Sequence, residues 1–502
     1  MCNSQKMSIF TVQKEDKTKT SKPCAKIQKL FQTCELFSQK MMRADYAIYS
    51  LMEVMEHIHI QSKQIGMTKK ANCKFTPLQV LSLLVVFPFF MVKNVYRYSD
   101  SSLNRLFHCE KDMFYRFLNN GNVKWRKLLY VLNMQLLQKI SKGTTSPSGQ
   151  PVCLIIDDTD APKSGMKAEL VGKIWSHVQQ KSILGYKCLT MMLSDGVSQL
   201  LLDFSLHGEE GKNKDKRQGL TAKQQRVRLS KDHTGEAVDE RISEYWMKKT
   251  DRAIEMVKYA IKVGIRFDYL LVDSWFTNTQ LVRFIKSRHI KCNLLGMIRL
   301  GKTKYTTGSG EMNAKQIIKH QQEAKACKRS RKLHCTYCTM DVQLDGMPVR
   351  LFFCKRGNGE WNGLLTTDMS LDFLEAYRLY ARRWTTEVAY KDCKTLLNLG
   401  KYQSRHFAAQ IAWFTLTMMQ YNILCLVKRF EAYETIGGLF KEVTKETLEL
   451  SVADKIWAAI VDFVLYIAEH YSIDETLLLT DYINRNPTGQ MLIKLQPYAQ
   501  IS

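Results

Sequence analysis

The sequence predicts a mixed α/β fold with helical regions before and after it, on three observations. Apolar runs end in aspartate at two separated places, IIDDTD and YLLVDSWF, as buried strands do when they deliver carboxylates to the edge of a sheet. Stretches with a helical apolar period lie between and after those runs. The composition also changes near residue 150, where KGTTSPSGQP reads as a linker or long turn. A chain of 502 residues is longer than one hydrophobic core supports, so several packed units are expected.

Taken in order, residues 1–145 read as a helical region. The start is rich in Lys, Gln, Ser and Thr, and AIYSLMEVMEHI then shows helical spacing. The apolar stretch Leu78 to Val92 falls short of the ~20 residues needed to cross a bilayer and is broken by Pro88, so it reads as a buried core helix and no membrane span is expected. Residues 101–120 read either as a helix-turn-helix that grips DNA or as two helices packed on each other. From 150 to 300 the strand candidates are 152–156, 187–193, 199–206, 269–272 and 292–298, with helices at about 240–264 and 278–288. Between 301 and 365 the pattern is short and β-like, with Asp345 and Gly346 dividing two alternating runs. This reads as an insertion in the α/β unit. Helices return over 366–432 and continue through a C-terminal region, 433–502.

Charge narrows the partner. The chain carries 74 Lys and Arg against 48 Asp and Glu, a net +26, and a surplus of that size attracts polyanions, nucleic acid first. The run 211–231 and the cluster CKRSRK at 327–332 are the places where backbone contacts are expected. Fourteen cysteines are scattered without a compact framework, and the N-terminus lacks the order of a secretory signal, so a reducing cytoplasm is expected. Cys335 and Cys338 form one CxxC near Cys327 and His334. A structural zinc needs a second, suitably spaced pair, which Cys354 alone does not make, so zinc is not expected.

The chemistry sits on three segments. Asp157, Asp158 and Asp160 follow one apolar run and Asp273 follows another. Two strands ending side by side in aspartate offer hard oxygen ligands for Mg²⁺ or Mn²⁺. Neighbouring residues on a strand face opposite ways, so Asp157 and Asp158 cannot both enter one site alike. In YARRWTTEVAYKDCK, Tyr380, Arg383, Glu387 and Lys394 are spaced 3, 4 and 7 apart. On one helix they fall in a sector of roughly 60°. One carboxylate among two cations and a phenol suits a phosphate beside a metal ion, with Lys391 one turn beyond the glutamate.

That spacing resembles the Y-R-E-K signature of bacterial DDE transposases of the insertion-sequence-4 group. The order of a DT-containing strand end, a VD strand end, a β-rich insertion and an LLTTD strand before the signature helix also matches, over about 150–430. The resemblance implies a ribonuclease-H-like catalytic core with Asp158, Asp273 and Glu387 as catalytic, metal-binding residues. Asp158 is favoured because it stands directly before Thr159, and strand alternation leaves Asp157 open. Tyr380, Arg383, Lys391 and Lys394 match positions that contact DNA at the transposon end. The family also carries a tryptophan in its insertion that stacks on a flipped base, and Trp361 stands one residue from the expected offset. The implied activity is cleavage of double-stranded DNA at transposon inverted repeats and joining to target DNA, by two-metal chemistry in a homodimer on paired ends, through a hairpin intermediate. A metal-dependent nuclease of the same fold and a non-catalytic DNA-binding protein are the alternatives.

Overall fold

The computed structural model describes residues 58–66, 73–101, 103–104, 108–142, 150–210, 235–287, 290–430, 433–446 and 470. The chain divides into two compact units. One comprises 1–45 and 455–494 and lies, His470 apart, outside the described residues; everything below concerns the other. The basic run 211–231 and the apolar C-terminal stretch from 451 also lie outside the described residues, as do parts of the 101–120 segment.

The sheet is built around β1 (Cys153–Pro162), which pairs antiparallel with β3 (Lys181–Ser194) on one side and parallel with β5 (Tyr269–Val272) on the other. A short strand, β2 (Gly172–Ser176), and β4 (Gln199–His207) both pair with β3, and β6 (Asn293–Ile298) continues parallel from β5. The order β4-β3-β1-β5-β6, an antiparallel meander followed by two parallel strands, is a ribonuclease-H-like core. All four residues of β1 that pair with β5 are fully buried, as a strand covered on both faces requires.

Residues 301–366 add strands to this sheet rather than forming a separate layer. They comprise β7 (Lys304–Thr307), β8 (Gly310–Asn313), β9 (Lys328–Ser330), β10 (Cys335–Leu344), β11 (Met347–Lys355) and β12 (Asn362–Thr366). β12 joins β6 antiparallel and carries β11, β10 and β7 outward, so one sheet holds twelve strands. The β10–β11 hairpin turns on Asp345 and Gly346, with φ of 52° and 76°. Two successive left-handed residues match the right-handed twist of the flanking strands.

Helices cover the core. α1 (Pro77–Val86) begins in a capping box from Thr76 and buries most of its residues; the helix expected over 78–92 stops at Val86, two residues before Pro88. α2 (Lys111–Leu118) buries Phe114, Phe117 and Leu118, and α3 (Trp125–Lys142) packs on the long terminal helix of the core. Among the described residues no helix is long and apolar enough to cross a membrane. The helix expected at 240–264 is two, α4 (Glu236–Tyr245) and α5 (Lys249–Lys262). The break at Trp246–Lys248 has neither Gly nor Pro to announce it, and it turns Lys249 toward β1. After α6 (Thr279–Ile285) and α7 (Ala314–Glu323) come α8 (Phe373–Ala381), α9 (Thr385–Thr395) and α10 (Phe407–Phe430).

α10 is buried from Phe407 to Val427, so its polar side chains must find partners inside the protein. Gln420 donates to the last carbonyls of α1, Leu84 O and Val85 O, at 3.1 and 3.2 Å. Asn422 accepts from Leu201 N at 2.8 Å and donates to Asn133 Oδ1 at 2.7 Å. These bonds tie the N-terminal helices, β4 and α10 into one core.

Candidate active site

The parallel ladder between β1 and β5 ends at Ile156 and Val272, so Asp157, Asp158 and Asp273 lie immediately beyond it. Asp273 is set by its own turn. Its Oδ1 accepts from the backbone of Trp275 at 2.9 Å and of Phe276 at 3.3 Å, and its carbonyl accepts from Thr277 Oγ1 at 2.9 Å. Both side-chain bonds fall on Oδ1, which leaves the second oxygen to a cation. Thr277 in turn needs the glycine beneath it: a Cβ on Gly296 of β6 would lie 2.2 Å from Thr277 Oγ1.

Strand alternation separates the two aspartates of β1. Asp157 is buried and accepts from Arg383 at 2.5 Å. Burial pushes its pKa up to about 7 even with that guanidinium beside it. Asp158 is the more exposed of the two and is paired with Lys249, from the first turn of α5. Further along, Asp160 pairs with Lys187 at 2.6 Å. Burial raises the carboxyl of Asp273 against the pull of its backbone hydrogen bond from Trp275, and both Asp157 and Asp158 lie within electrostatic reach of it.

The signature segment is not one helix. α8 ends at Ala381, a 3-10 turn spans Arg382–Trp384, and α9 starts at Thr385. Three residues per turn instead of 3.6 breaks the phase on which a single charged face depends. The two arginines of the turn grip β1 at two points. Arg382 donates to Pro151 O at 2.6 Å, ahead of the strand, and Arg383 reaches Asp157. Arg383 also donates to Glu387 at 3.4 Å, so it links the β1 acids to the acid of α9.

Around this link the other expected residues take different places. Tyr380 is 7% exposed, with burial raising its pKa to about 12, and its ring centre lies 5.9 Å from the Arg383 guanidinium carbon. Glu387 and Lys391 are exposed on α9. Lys394 is half-buried and donates to Thr159 Oγ1 at 2.6 Å, which pins the end of α9 to β1. On the inner face of α9, Tyr390 shares a hydrogen bond with Thr190 of β3 at 2.5 Å. Trp361 is half-buried at the start of β12.

Among the described residues no group of three or more His, Cys, Asp or Glu side chains is arranged to hold a metal ion. Asp158, Asp273 and Glu387 are the right donors for a hard divalent cation, but as placed, Asp158 faces Lys249 and Glu387 faces Arg383. Lys249 and Arg383 thus stand against two of the three acids. Lys249 carries no sequence signal as a site residue, because only the break after α4 brings it to β1. Trp275 stands in plain view beside Asp273, but an aromatic residue after a strand is ordinarily core, so nothing in the residue order singles it out.

Residues 103–310 match the model of the DDE superfamily endonuclease family. The match takes in both aspartate-bearing strand ends and stops before α8 and α9, so Glu387 lies beyond it. No curated protein sequence matches. Two solved structures are similar to the chain. A piggyBac transposase synaptic complex with hairpin DNA has 12% identity, covering 85% of this chain and 81% of that one, at a TM-score of 0.41. The NurA nuclease from Sulfolobus solfataricus has 10% identity, covering 55% and 86%, at a TM-score of 0.22. Both scores are too low to carry weight beside the strand order itself.

The Asp157 environment has a consequence for stability. With a native pKa near 7 against 3.8 for an ordinary aspartate, the folded state holds an extra proton between those values. Stability is therefore greatest at the acid end of that interval and falls as pH rises through it. Asp157→Asn, neutral throughout, should be more stable than the wild type at pH 8 and equal to it near pH 4. Thermal melting of the metal-free proteins at both pH values checks this; an unchanged difference between wild type and variant across the range would show that Asp157 does not titrate there.

Proposed function

We propose that this chain is a DNA transposase that binds transposon ends, cleaves them and joins them to target DNA, with Asp158, Asp273 and Glu387 as the metal-binding catalytic acids. One observation supports the reading: Asp158 and Asp273 lie just past the end of the parallel β1–β5 ladder in a ribonuclease-H-like sheet, and Arg383, which holds the neighbouring Asp157, also donates to Glu387. The family match over 103–310, a DDE superfamily endonuclease, supports phosphodiester chemistry.

Bound Mg²⁺ or Mn²⁺ would neutralise charge on the attacking and leaving oxygens. The chain's residues supply the rest. Asp158 is preferred to Asp157 because it stands directly before Thr159 and is the more exposed of two paired acids, Asp158 with Lys249 and Asp157, buried, with Arg383. Asp157 is then a positioning residue that sets Arg383 and, through it, Glu387. Lys391, exposed on α9, would hold backbone phosphates, whereas Lys394, half-buried on Thr159, supports that role from the β1 side. Tyr380, turned inward, acts by packing beside Arg383. The insertion-sequence-4 group, a bacterial source, a cytoplasmic location, a hairpin pathway, and two copies acting on paired ends belong to the same reading.

The test is strand cleavage and joining on a denaturing gel, with the full chain, Mg²⁺ and a duplex bearing the inverted repeats that flank its coding region. Wild type should give cut and joined products and Glu387→Ala neither. Cutting without joining by the wild type would make the chain a nuclease of this fold, and DNA binding without cleavage by either protein would make it a binding protein.

A further inference from the structure

The β-rich insertion holds four cysteines that the proposed chemistry leaves unused: Cys327 just ahead of β9, Cys335 and Cys338 on β10, and Cys354 on β11. Three strands, β6, β12 and β11, separate β10 from β5 and its aspartate. Strand register singles out two of the four. β9 runs antiparallel to β10 with Cys335 opposite Ser330, Thr336 opposite Arg329 and Tyr337 opposite Lys328. One step further along the same ladder sets Cys338 opposite Cys327. Residues directly opposite on antiparallel strands have Cα atoms ~4.5–5.5 Å apart and side chains on one face, a separation that a disulfide spans. Both cysteines are free thiols. Burial, and then the Cys327 thiol beside it, pushes the Cys338 thiol up to about 12, so the two sulfurs are neighbours in space as well as in register. Accessibility divides them: Cys338 is 1% exposed, whereas Cys327 is only half-buried.

We propose that Cys327 and Cys338 are a peroxide-reactive thiol pair, a modification site that closes to a disulfide and staples β9 to β10. Cys327, the thiol that solvent reaches, attacks one oxygen of hydrogen peroxide. The O–O bond breaks, hydroxide leaves with the Cys327 proton as water, and the sulfur becomes a sulfenic acid. The Cys338 sulfur then attacks the Cys327 sulfur: the S–O bond breaks, the S–S bond forms, and the hydroxyl leaves as water with the Cys338 proton. Two thiols are oxidised and one peroxide is reduced, giving one disulfide and two waters. Burial shields Cys338 from peroxide in solution and leaves it the sulfur next to it as its reaction partner. The bond closes a ring over the turn that carries Lys328, Arg329, Arg331 and Lys332, all exposed. β9 is three residues long and, among the described residues, pairs with β10 alone. So short an edge strand opens locally at little cost, and a covalent clasp at its base holds the four cations in one arrangement.

The experiment treats the reduced full-length chain with hydrogen peroxide, blocks the remaining thiols with N-ethylmaleimide, and reads unreduced tryptic peptides by mass spectrometry. Trypsin separates Cys327, in 326–328, from Cys335 and Cys338, in 333–350, and from Cys354, in 351–355. Wild type should give 326–328 joined to 333–350. Cys335→Ser should keep that product, and Cys338→Ser should lower it about ten-fold or more. Trypsin added to the native chain should cut within 328–332 about ten-fold more slowly after oxidation than before, a difference that Cys327→Ser removes. A joined product that survives in Cys338→Ser would overturn the pair. So would recovery of 326–328 wholly blocked by N-ethylmaleimide after peroxide, or a join to 351–355 in its place. Equal digestion of the reduced and oxidised chains would overturn the staple.

Discussion

Asp158→Ala and Asp273→Ala are each expected to lower strand cleavage about a thousand-fold or more, with Asp157→Asn falling well short of that loss. A carboxylate that holds a divalent cation supplies several kcal/mol of charge stabilisation, and about 4 kcal/mol is three powers of ten in rate. Asp158 and Asp273 stand just past the end of the β1–β5 ladder, and Asp273 lies within electrostatic reach of both β1 acids. Asp157 is on the other face of β1, buried and joined to Arg383. Its asparagine keeps the shape and one hydrogen bond to the guanidinium, so the expected cost is confined to the placement of Arg383 and Glu387. The measurement is single-turnover cleavage of an end-bearing duplex at saturating Mg²⁺, with DNA affinity measured in parallel. Equal losses for Asp157→Asn and Asp158→Ala would show that the buried aspartate is the ligand. Restoration of Asp158→Ala to wild-type rates by raising Mg²⁺ would show that this acid tunes metal affinity without serving the reaction.

Some of this is legible in the residue order. YLLV at 269–272 is β5 to the residue, because a short apolar run closed by an aspartate has few other ways to fold. The β10–β11 turn is marked by Asp-Gly, whose backbone preferences select the hairpin. The acids of β1 and β5 are visible because each closes an apolar run, although β1 itself continues past them to Pro162 and Asp157 is buried. What the residue order hides is phase and long-range pairing. The helical spacing of FLEAYRLYA runs on through Arg382–Trp384 without a Gly or Pro, so a tight turn formed by two arginines gripping β1 reads as continuous helix. Lys249 and Asp158 are 91 residues apart, and nothing local in either announces the other.

The least legible feature is the one with the largest expected effect on stability. Asp203, in the middle of the apolar strand β4, is fully buried, and Asp203→Ala is expected to destabilise the fold by about 3–5 kcal/mol. A register shift opposite Met191 and Met192 marks a bulge beside it. Three guanidinium groups surround the carboxylate. Arg126 of α3 donates at 3.0 Å, Arg252 of α5 at 3.2 Å, and Arg241 of α4 lies at 3.6 Å. Glu244 of α4 is the second buried acid, bound by Arg126 at 2.6 Å and by Arg252 at 3.1 Å. Burial alone would raise the pKa of Asp203, but the three arginines hold it below the usual carboxylate range. Alanine would leave three buried guanidinia facing one buried acid, and an unpaired buried charge costs more than the pair ever contributed. The loss should reach the active site. Arg252 is one turn from Lys249 on α5, so loosening α5 from β4 also loosens the partner of Asp158. Chemical denaturation of wild type, Asp203→Ala and Asp203→Asn measures the effect. Asparagine, which keeps the hydrogen-bond acceptor without the charge, should recover only part of the loss if charge is what holds the three helices to the strand. Full recovery would mean that hydrogen bonding alone suffices there.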